Sequence, residues 1–544
     1  MALKNALEWN LSRHLLGAKY FVCISGMKTH MYKTILKNST QLFFVFVVTT
    51  LFFALLGEHG GVSAAIQWPE PRPVITFDTD YNYQIGLSVL TTSGDLTYFL
   101  KSTYHSGYSF CHLWVTDGSA IGSRDIIEVV YNTNTAHCQH ANGMETLPIG
   151  SQGLLFNTYT YTDNPNAFYS TDGISATKLL DGPATNLVKI DGQAFFLYTD
   201  SVNGLAVWTT DGTPQGTQMI KKLPGSKASA FFNGHELLVL VRFGDGSSWL
   251  WKTDGTSQGT VAVRQITNEN FYQVSSWIQH EDKVFFMVQS MESDSPLILP
   301  WALWSTDGSE AGTYRVFDLP YENARIYYFV STNNLLFFVM GETSSYLSEE
   351  NTLWQSDGTE GGTQTVSDAS LGTLDTVVAY KDAVYWYNHV DKSFKKTTGR
   401  ADGVITVLSG YPSNSENILF VQNNLLYLAS IHAWVTDGET LTELAGSHDY
   451  SHPVSLTGFR GQLFFTIWIE DNATGWEIWK SDGTAEGTGV YADLIPGPDS
   501  SYPGIIGVAG GKLYFASRDS EDNYCLWAVD DPYTFSTYIP AVHR

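Results

Sequence analysis

One short motif recurs along almost the whole chain. In the stretch Leu250 to Thr260 it reads LWKTDGTSQGT, with close copies LWVTDGSAIGS at Leu113, VWTTDGTPQGT at Val207, LWSTDGSEAGT at Leu303, LWQSDGTEGGT at Leu353 and IWKSDGTAEGT at Ile478. A motif returning at near-constant spacing constrains the fold more than length does, because each copy must close the same small unit. The Asp of each Asp-Gly pair falls at 117, 172, 211, 254, 307, 357, 437 and 482, and weaker copies at Thr398-Gly399 and Asp530 fill the gaps. Ten units result, 39 to 55 residues apart. A period of ~40–50 residues built from short strands is that of propeller blades.

Inside each period a turn precedes a short apolar, β-rich run: Gly192 before AFFLY, Gly234 before LLVLV, Asp282 before VFFMV, Asn334 before LLFFVM, Asp382 before AVYWY, Asn424 before LLYLA, Gly461 before LFFTIW and Gly511 before LYFAS. Gly94 and Gly153 serve the first two units. Gly, Asn and Asp tolerate the positive φ of tight turns, so these are hairpins. Every unit therefore reads as four strands: one before the first turn, the apolar run, the strand ending in the motif's Trp, and the strand after the Asp-Gly turn. Aromatic residues at 14 % and 48 glycines against only 16 % charged residues agree with an all-β chain without long helices. A length of 544 residues would by itself suggest several domains, but the repeat overrides that inference. The formal charge of −25, from 30 basic and 55 acidic residues, argues against a nucleic-acid partner.

The motif residues have structural roles that account for their recurrence. Trp three places before the Asp (Trp114, Trp208, Trp251, Trp304, Trp354, Trp434, Trp479, Trp527) has the right period to pack between adjacent sheets. The Asp (Asp117, Asp211, Asp254, Asp307, Asp357, Asp482) can accept backbone N–H groups across the turn, and the Gly (Gly118, Gly212, Gly255, Gly308, Gly358, Gly483) supplies the left-handed residue. A second Gly (Gly216, Gly259, Gly312, Gly362, Gly487) ends the loop and releases the next strand. Catalysis rarely needs one residue in ten equivalent places, so the motif marks the fold.

These copies resemble the ELWxxDGT repeat of exported bacterial proteins over roughly residues 85–531. The turn is also similar in logic to the Asp-box of sialidase-type propellers, but there the Trp follows the Gly and here it precedes the Asp, so no sialidase residue carries over. Tyr169 stands for Trp in unit two, Lys395 in unit seven, and unit eight lacks the second Gly. The expected architecture is an all-β propeller of about ten four-stranded units over 66–544, as one large ring or two smaller ones. Pro73 to Asp78, PVITFD, reads as a fourth strand without its preceding three, and is expected to complete the last unit near residues 513–527.

Residues 1–64 read as an N-terminal extension with a signal peptide. Leu42 to Leu56 is free of charge and suits an h-region; Lys33 and Lys37 precede it, and Val62-Ser63-Ala64 offers a cleavage site. An uncleaved signal anchor with Lys4, Arg13, Lys19 and Lys28 on its cytoplasmic side is the alternative, and the sole route to a membrane. Either way the remainder lies outside the cytoplasm. Cys111 and Cys138 are then candidates for a disulfide, leaving Cys525 odd; His112, His137 and His140 crowd the same cysteines, but their spacing matches no standard zinc site.

Candidate chemistry is sparse. Asp78, Asp80 and Asn82 resemble the start of a calcium loop that Tyr83 and Val89 then break. Glu292 with Asp294, and Arg518 through Asp522, read as charged turns. Hydrolase and nucleotide-binding motifs are absent, so no catalytic, metal or cofactor residue is assigned. Aromatics in or beside variable segments (Tyr104, Tyr108, Tyr159, Tyr161, Tyr327, Tyr328, Tyr346, Trp386, Tyr387), with carboxylates nearby, suit sugars or protein surfaces. The expectation is an exported, non-catalytic binder of a glycan or protein, with a secreted polysaccharide-acting enzyme as the alternative.

Overall fold

The hairpins expected from the turn residues organise the fold. A computed structural model describes residues 68–532, apart from 78–83, 106–107, 133–143, 161–165, 269, 292–299, 321–323, 343–350, 371–376, 400–402, 410–417, 423, 430–431, 447–453 and 469–473. The signal-peptide segment, the Asp78–Asn82 loop and the Glu292/Asp294 loop lie outside the described residues. All regular structure among those described is strand. At Asp191-Gly192, Arg460-Gly461 and Gly510-Gly511 both central residues have positive φ, the turn geometry that matches strand twist.

Residues 69–544 form one unit holding ten four-stranded antiparallel blades in a single ring. Blades 1 to 9 follow in chain order: 84–132, 146–181, 185–222, 227–267, 270–318, 324–370, 377–409, 418–446 and 454–492. Within each, strands run first to fourth from the ring's centre outward, so the first strands of successive blades adjoin around the channel. The second strand is sandwiched within its blade and against both neighbours. That is why Ala194 to Tyr198 are five consecutive buried residues and why these runs are continuously apolar.

Blade 10 is composite. Its first three strands are Gly504–Ala509, Lys512–Arg518 and Tyr524–Asp530, and the fourth is the N-terminal strand Arg72–Phe77, paired antiparallel with Pro73 opposite Trp527 and Phe77 opposite Tyr524. The expected closure is therefore present. Phe77 and Val74 of this strand and Tyr514 pack with Phe99 of blade 1, while a core cluster joins blades 5 and 6. Those two junctions make one ring of ten, since two rings of five would break both. Blades 1 and 2 also touch edge to edge: blade 2's first strand stops at Thr146–Ile149, and Val130 and Tyr131 of blade 1 pair in parallel with Tyr159 and Thr160 in the space beyond it.

The motif aromatic sits where each blade meets the one before it. Trp114, Trp208, Trp251, Trp304, Trp354, Trp434 and Trp479 each join the cluster shared with the preceding blade, as Tyr169 does in blade 2. Opposite them on the second strand stand Phe99, Phe286, Phe338 and Phe465, with Phe338 stacked on Trp354 at 5.9 Å. Blade 7 exchanges the pair: Lys395 takes the motif position, and the residue facing it is Trp386, fully buried between blades 6 and 7. The ring volume is kept while its strand of origin changes. In every blade the fourth strand has a register shift beside this motif position, for example between Leu250 and Trp251, between Leu303 and Trp304, and between Phe394 and Lys395. Such bulges increase local twist and end regular pairing at the rim.

Candidate functional site

The eight Asp-Gly turns, and Thr398-Gly399 in blade 7, join third to fourth strands, so these nine lie at one end of the ring together with the first hairpin turns. In blades 1, 3, 4, 5, 6 and 9 the turn is built identically. Asp254 Oδ1 accepts the Thr256 N–H at 2.8 Å and its hydroxyl at 2.8 Å, and Thr253 Oγ1 accepts the Gly255 N–H at 3.0 Å. The Thr260 hydroxyl donates to the Thr256 carbonyl at 2.6 Å. Its one proton being used, the 2.7 Å contact between Thr253 and Thr260 must carry the Thr253 proton. Equivalent hydroxyl pairs are Thr116/Ser123, Thr210/Thr217, Thr306/Thr313, Ser356/Thr363 and Ser481/Thr488, each at 2.7 Å. The second Gly has a more specific role than ending the loop: a Cβ on Gly122, Gly216, Gly259, Gly312, Gly362 or Gly487 would lie within about 2.1 Å of the turn's own carboxylate.

Donors on four of these carboxylates depress their pKa. Asp117, Asp211 and Asp307 are held low chiefly by the hydroxyl two residues on, and Asp254 chiefly by the Thr256 N–H. In blade 8 the Thr440 and Glu439 N–H groups bring Asp437 down to about 2.

The turns also dock blades together. The φ of Gly255 is 90°, and a Cβ there would meet Phe195 Cζ of blade 3 at 2.4 Å; Gly358 faces Phe285 in the same way. Ser170 of blade 2 donates to Gly212 O of blade 3 at 2.6 Å, and Lys396 of blade 7 to Gly438 O of blade 8 at 3.0 Å. At the closure Arg72 donates to Gly118 O and pairs with Asp530 at 2.9 Å.

Blades 2 and 8 depart from this plan. Their fourth strands start at Ala176 and Leu441, four residues after the Asp, where the fourth strand of blade 3 starts seven after it. Between blade 2's shortened turn and blade 3's complete one lies a cleft of about 390 Å³, lined by the hairpin 149–153, by Ser170, Thr171, Asp172, Ser175 and Thr177, and by 211–213. No cationic side chain lines it. Asp172 and Asp211 use Oδ1 for their turn N–H groups. Thr171 is 4 % exposed and accepts the Gly173 N–H at 3.0 Å. The shortened turn ends at Ser175, whose N–H goes to Asp172 and whose hydroxyl makes no bond to Thr171, so among the described residues the Thr171 proton has no acceptor. The shortened spacing after Asp172 was readable in the sequence; the loss of Thr171's partner was not, because the hydroxyl pair was unrecognised.

Other candidate residues prove structural. Trp386 and Tyr387, expected at a ligand surface, are buried in the core of blade 7 because they belong to its sandwiched second strand. Tyr159 and Tyr328 pack against blade interfaces, and Tyr104 is half-buried. Tyr161, Tyr346 and the side chains of Tyr108 and Tyr327 lie outside the described residues. In 518–522, Asp519 accepts the N–H groups of Glu521 and Asn523 at 2.9 Å and Arg518 pairs with Asp522, which is a charged turn. Cys111 is disulfide-bonded and Cys525 is free and buried; Cys138, His137 and His140 lie outside the described residues. His112 pairs with Asp125 at 2.8 Å, which raises its pKa. Sequence reading missed Glu477, buried in blade 9, whose carboxylate accepts the Ser501 N–H, the Ser501 hydroxyl and the Leu494 N–H and so anchors the link to blade 10.

No protein family and no curated protein matches the chain. Among solved structures it is similar to a puromycin hydrolase at 11 % identity and a TM-score of 0.30, covering 62 % of this chain and 58 % of that one. It is similar to the β-propeller domain of the Trilobed protease from Pyrococcus furiosus at 12 % identity and 0.30, covering 76 % and 98 %. A eukaryotic initiation factor aligns at 12 % identity and 0.37, covering 78 % and 91 %. Likenesses this remote transfer no residue and no activity.

Proposed function

We propose that the protein is an exported, non-catalytic β-propeller that binds a glycan or protein at the cell surface or outside the cell. The observation that carries this reading is the contrast between its two ends. One end is a repeated array of turns in which Oδ1 of each described carboxylate serves as the turn cap. From the other leave the connections between second and third strands, whose length varies from the two residues between His105 and Tyr108 to the ten between Met291 and Ala302. Constant scaffold with variable connections is the arrangement of recognition proteins. Export is supported by the apolar run 42–56 with its following small residues, and by a disulfide-bonded Cys111. The test is N-terminal sequencing of the exported chain, expected to begin after Ala64, followed by glycan-array and protein-capture binding with a parallel assay for released sugar. Binding without release supports the proposal; sugar release abolished by changing a single carboxylate overturns it in favour of a polysaccharide-acting enzyme.

A further inference from the structure

We propose that the cleft between blades 2 and 3 is a binding site for a neutral, hydroxyl-rich ligand, a mono- or disaccharide unit. This rests on the reading of the protein as a binding propeller, but places a site at the uniform end of the ring. The volume of about 390 Å³ falls within the ~300–1,000 Å³ range of small-molecule sites. The chemistry of the walls is that of a sugar's complement. Thr171, Ser175 and Thr177 bring hydroxyls, Ser170 brings only its oxygen because its proton goes to Gly212 O, and Asp172 and Asp211 bring carboxylates whose Oδ2 atoms have no hydrogen-bond partner among the described residues. Two carboxylates without a lining Lys, Arg or His disfavour an anion, while paired acceptors suit adjacent O–H donors.

Thr171 is the sharper indication. A buried donor left without an acceptor is costly, and in six other blades the equivalent hydroxyl gives its proton to the residue seven positions on. Blade 2 has removed that partner and left a cleft against the same hydroxyl. A ligand oxygen seated there restores the missing acceptor. Blade 8 shares the shortened turn, but buried Val435 stands where blade 2 has Ser170, and Leu425 closes on Gly483 of blade 9, so the corresponding wall is apolar.

The experiment is saturation-transfer NMR on the exported full-length chain with methyl glycosides of glucose, galactose and mannose, maltose and cellobiose, with glucuronate and inorganic phosphate as anionic probes. At least one neutral sugar should give transfer, and the anions none. Thr177→Phe, at an exposed position that blocks the cleft, should weaken that sugar at least tenfold. Replacing Asp172–Ser175 by the blade 3 loop DGTPQGT, which restores the hydroxyl partner of Thr171, should do the same. No transfer from any neutral sugar, or affinity unchanged in both variants, overturns the proposal. Array binding that survives Thr177→Phe but is lost on changing the connections at the opposite end refutes this site alone and leaves the proposed function standing.

Discussion

Changing Gly255 to Ala separates the two demands placed on the repeated glycine. The first is conformational: at a φ of 90° an L-residue is strained by about 1–2 kcal/mol. The second is packing, because the new methyl would lie 2.4 Å from Phe195 Cζ of the preceding blade, and overpacking of this kind costs roughly 1–3 kcal/mol. The sum is roughly 2–5 kcal/mol. Gly234, in the first turn of the same blade, has nearly the same φ of 94°, but a methyl added there would meet nothing within 4 Å, so Gly234→Ala carries the conformational cost alone. Equilibrium urea unfolding followed by tryptophan emission compares the two variants at fixed slope. Gly255→Ala should be the more destabilising by roughly 1–3 kcal/mol. Trimming the ring with Phe195→Leu should return most of that difference, a coupling that a double-mutant cycle measures directly. Equal losses in the two single variants, or no coupling to Phe195, would refute the claim that the turn docks one blade on the next.

Three further outcomes follow from the same features. Arg72→Ala removes the pair with Asp530 and the bond to Gly118 O; the pair is 40 % and 26 % exposed, so solvent screening holds it to roughly 0.2–1 kcal/mol. Its mark should be faster hydrogen exchange confined to 72–77 and 524–528, and unchanged exchange there would show that Arg72 does not secure the ring. The depressed turn carboxylates contribute stability that is present above their ordinary pKa near 3.8 and lost as pH falls through the folded values. Melting temperature should therefore drop between about pH 4 and pH 2, and Asp437→Asn, which keeps one carbonyl for the turn, should flatten that slope. Peptide mapping without reduction should link Cys111 to Cys138, while burial, which also raises its pKa, keeps the Cys525 thiol unreactive to alkylation until the chain is unfolded.

The blades and their closure were legible because they rest on local signals. Turn residues, apolar runs and the orphan strand at Pro73 each carry their meaning in a few neighbouring positions. What escaped was relational. Trp386 reads as one more aromatic of the run AVYWY, beside a variable segment, until the register sets it opposite Lys395, where it supplies the bulk that the motif position gave up. One ring or two depends on the angle between successive blades, which no short segment encodes. The shared proton between Thr253 and Thr260 joins residues seven apart through a loop whose closure sequence alone does not display. The cleft beside Thr171 is the sum of an omission in one blade and an intact turn in the next, so neither unit shows it separately.

The composite tenth blade also fixes an order of events. Arg72 and Asp530 are 458 residues apart, so the ring's first strand in the sequence is among the last to find its place. Until the final hairpin has been made, the rim strand of blade 10 has no sheet to join, and the face of blade 1 that meets blade 10 has no neighbour to cover Phe99 and Trp114. Long-range pairing of this kind is slow and leaves edges open to other chains meanwhile. The other nine blades can then hold their shape only as an open arc, each resting on the turn of the next, until the first strand of the ring meets the last hairpin.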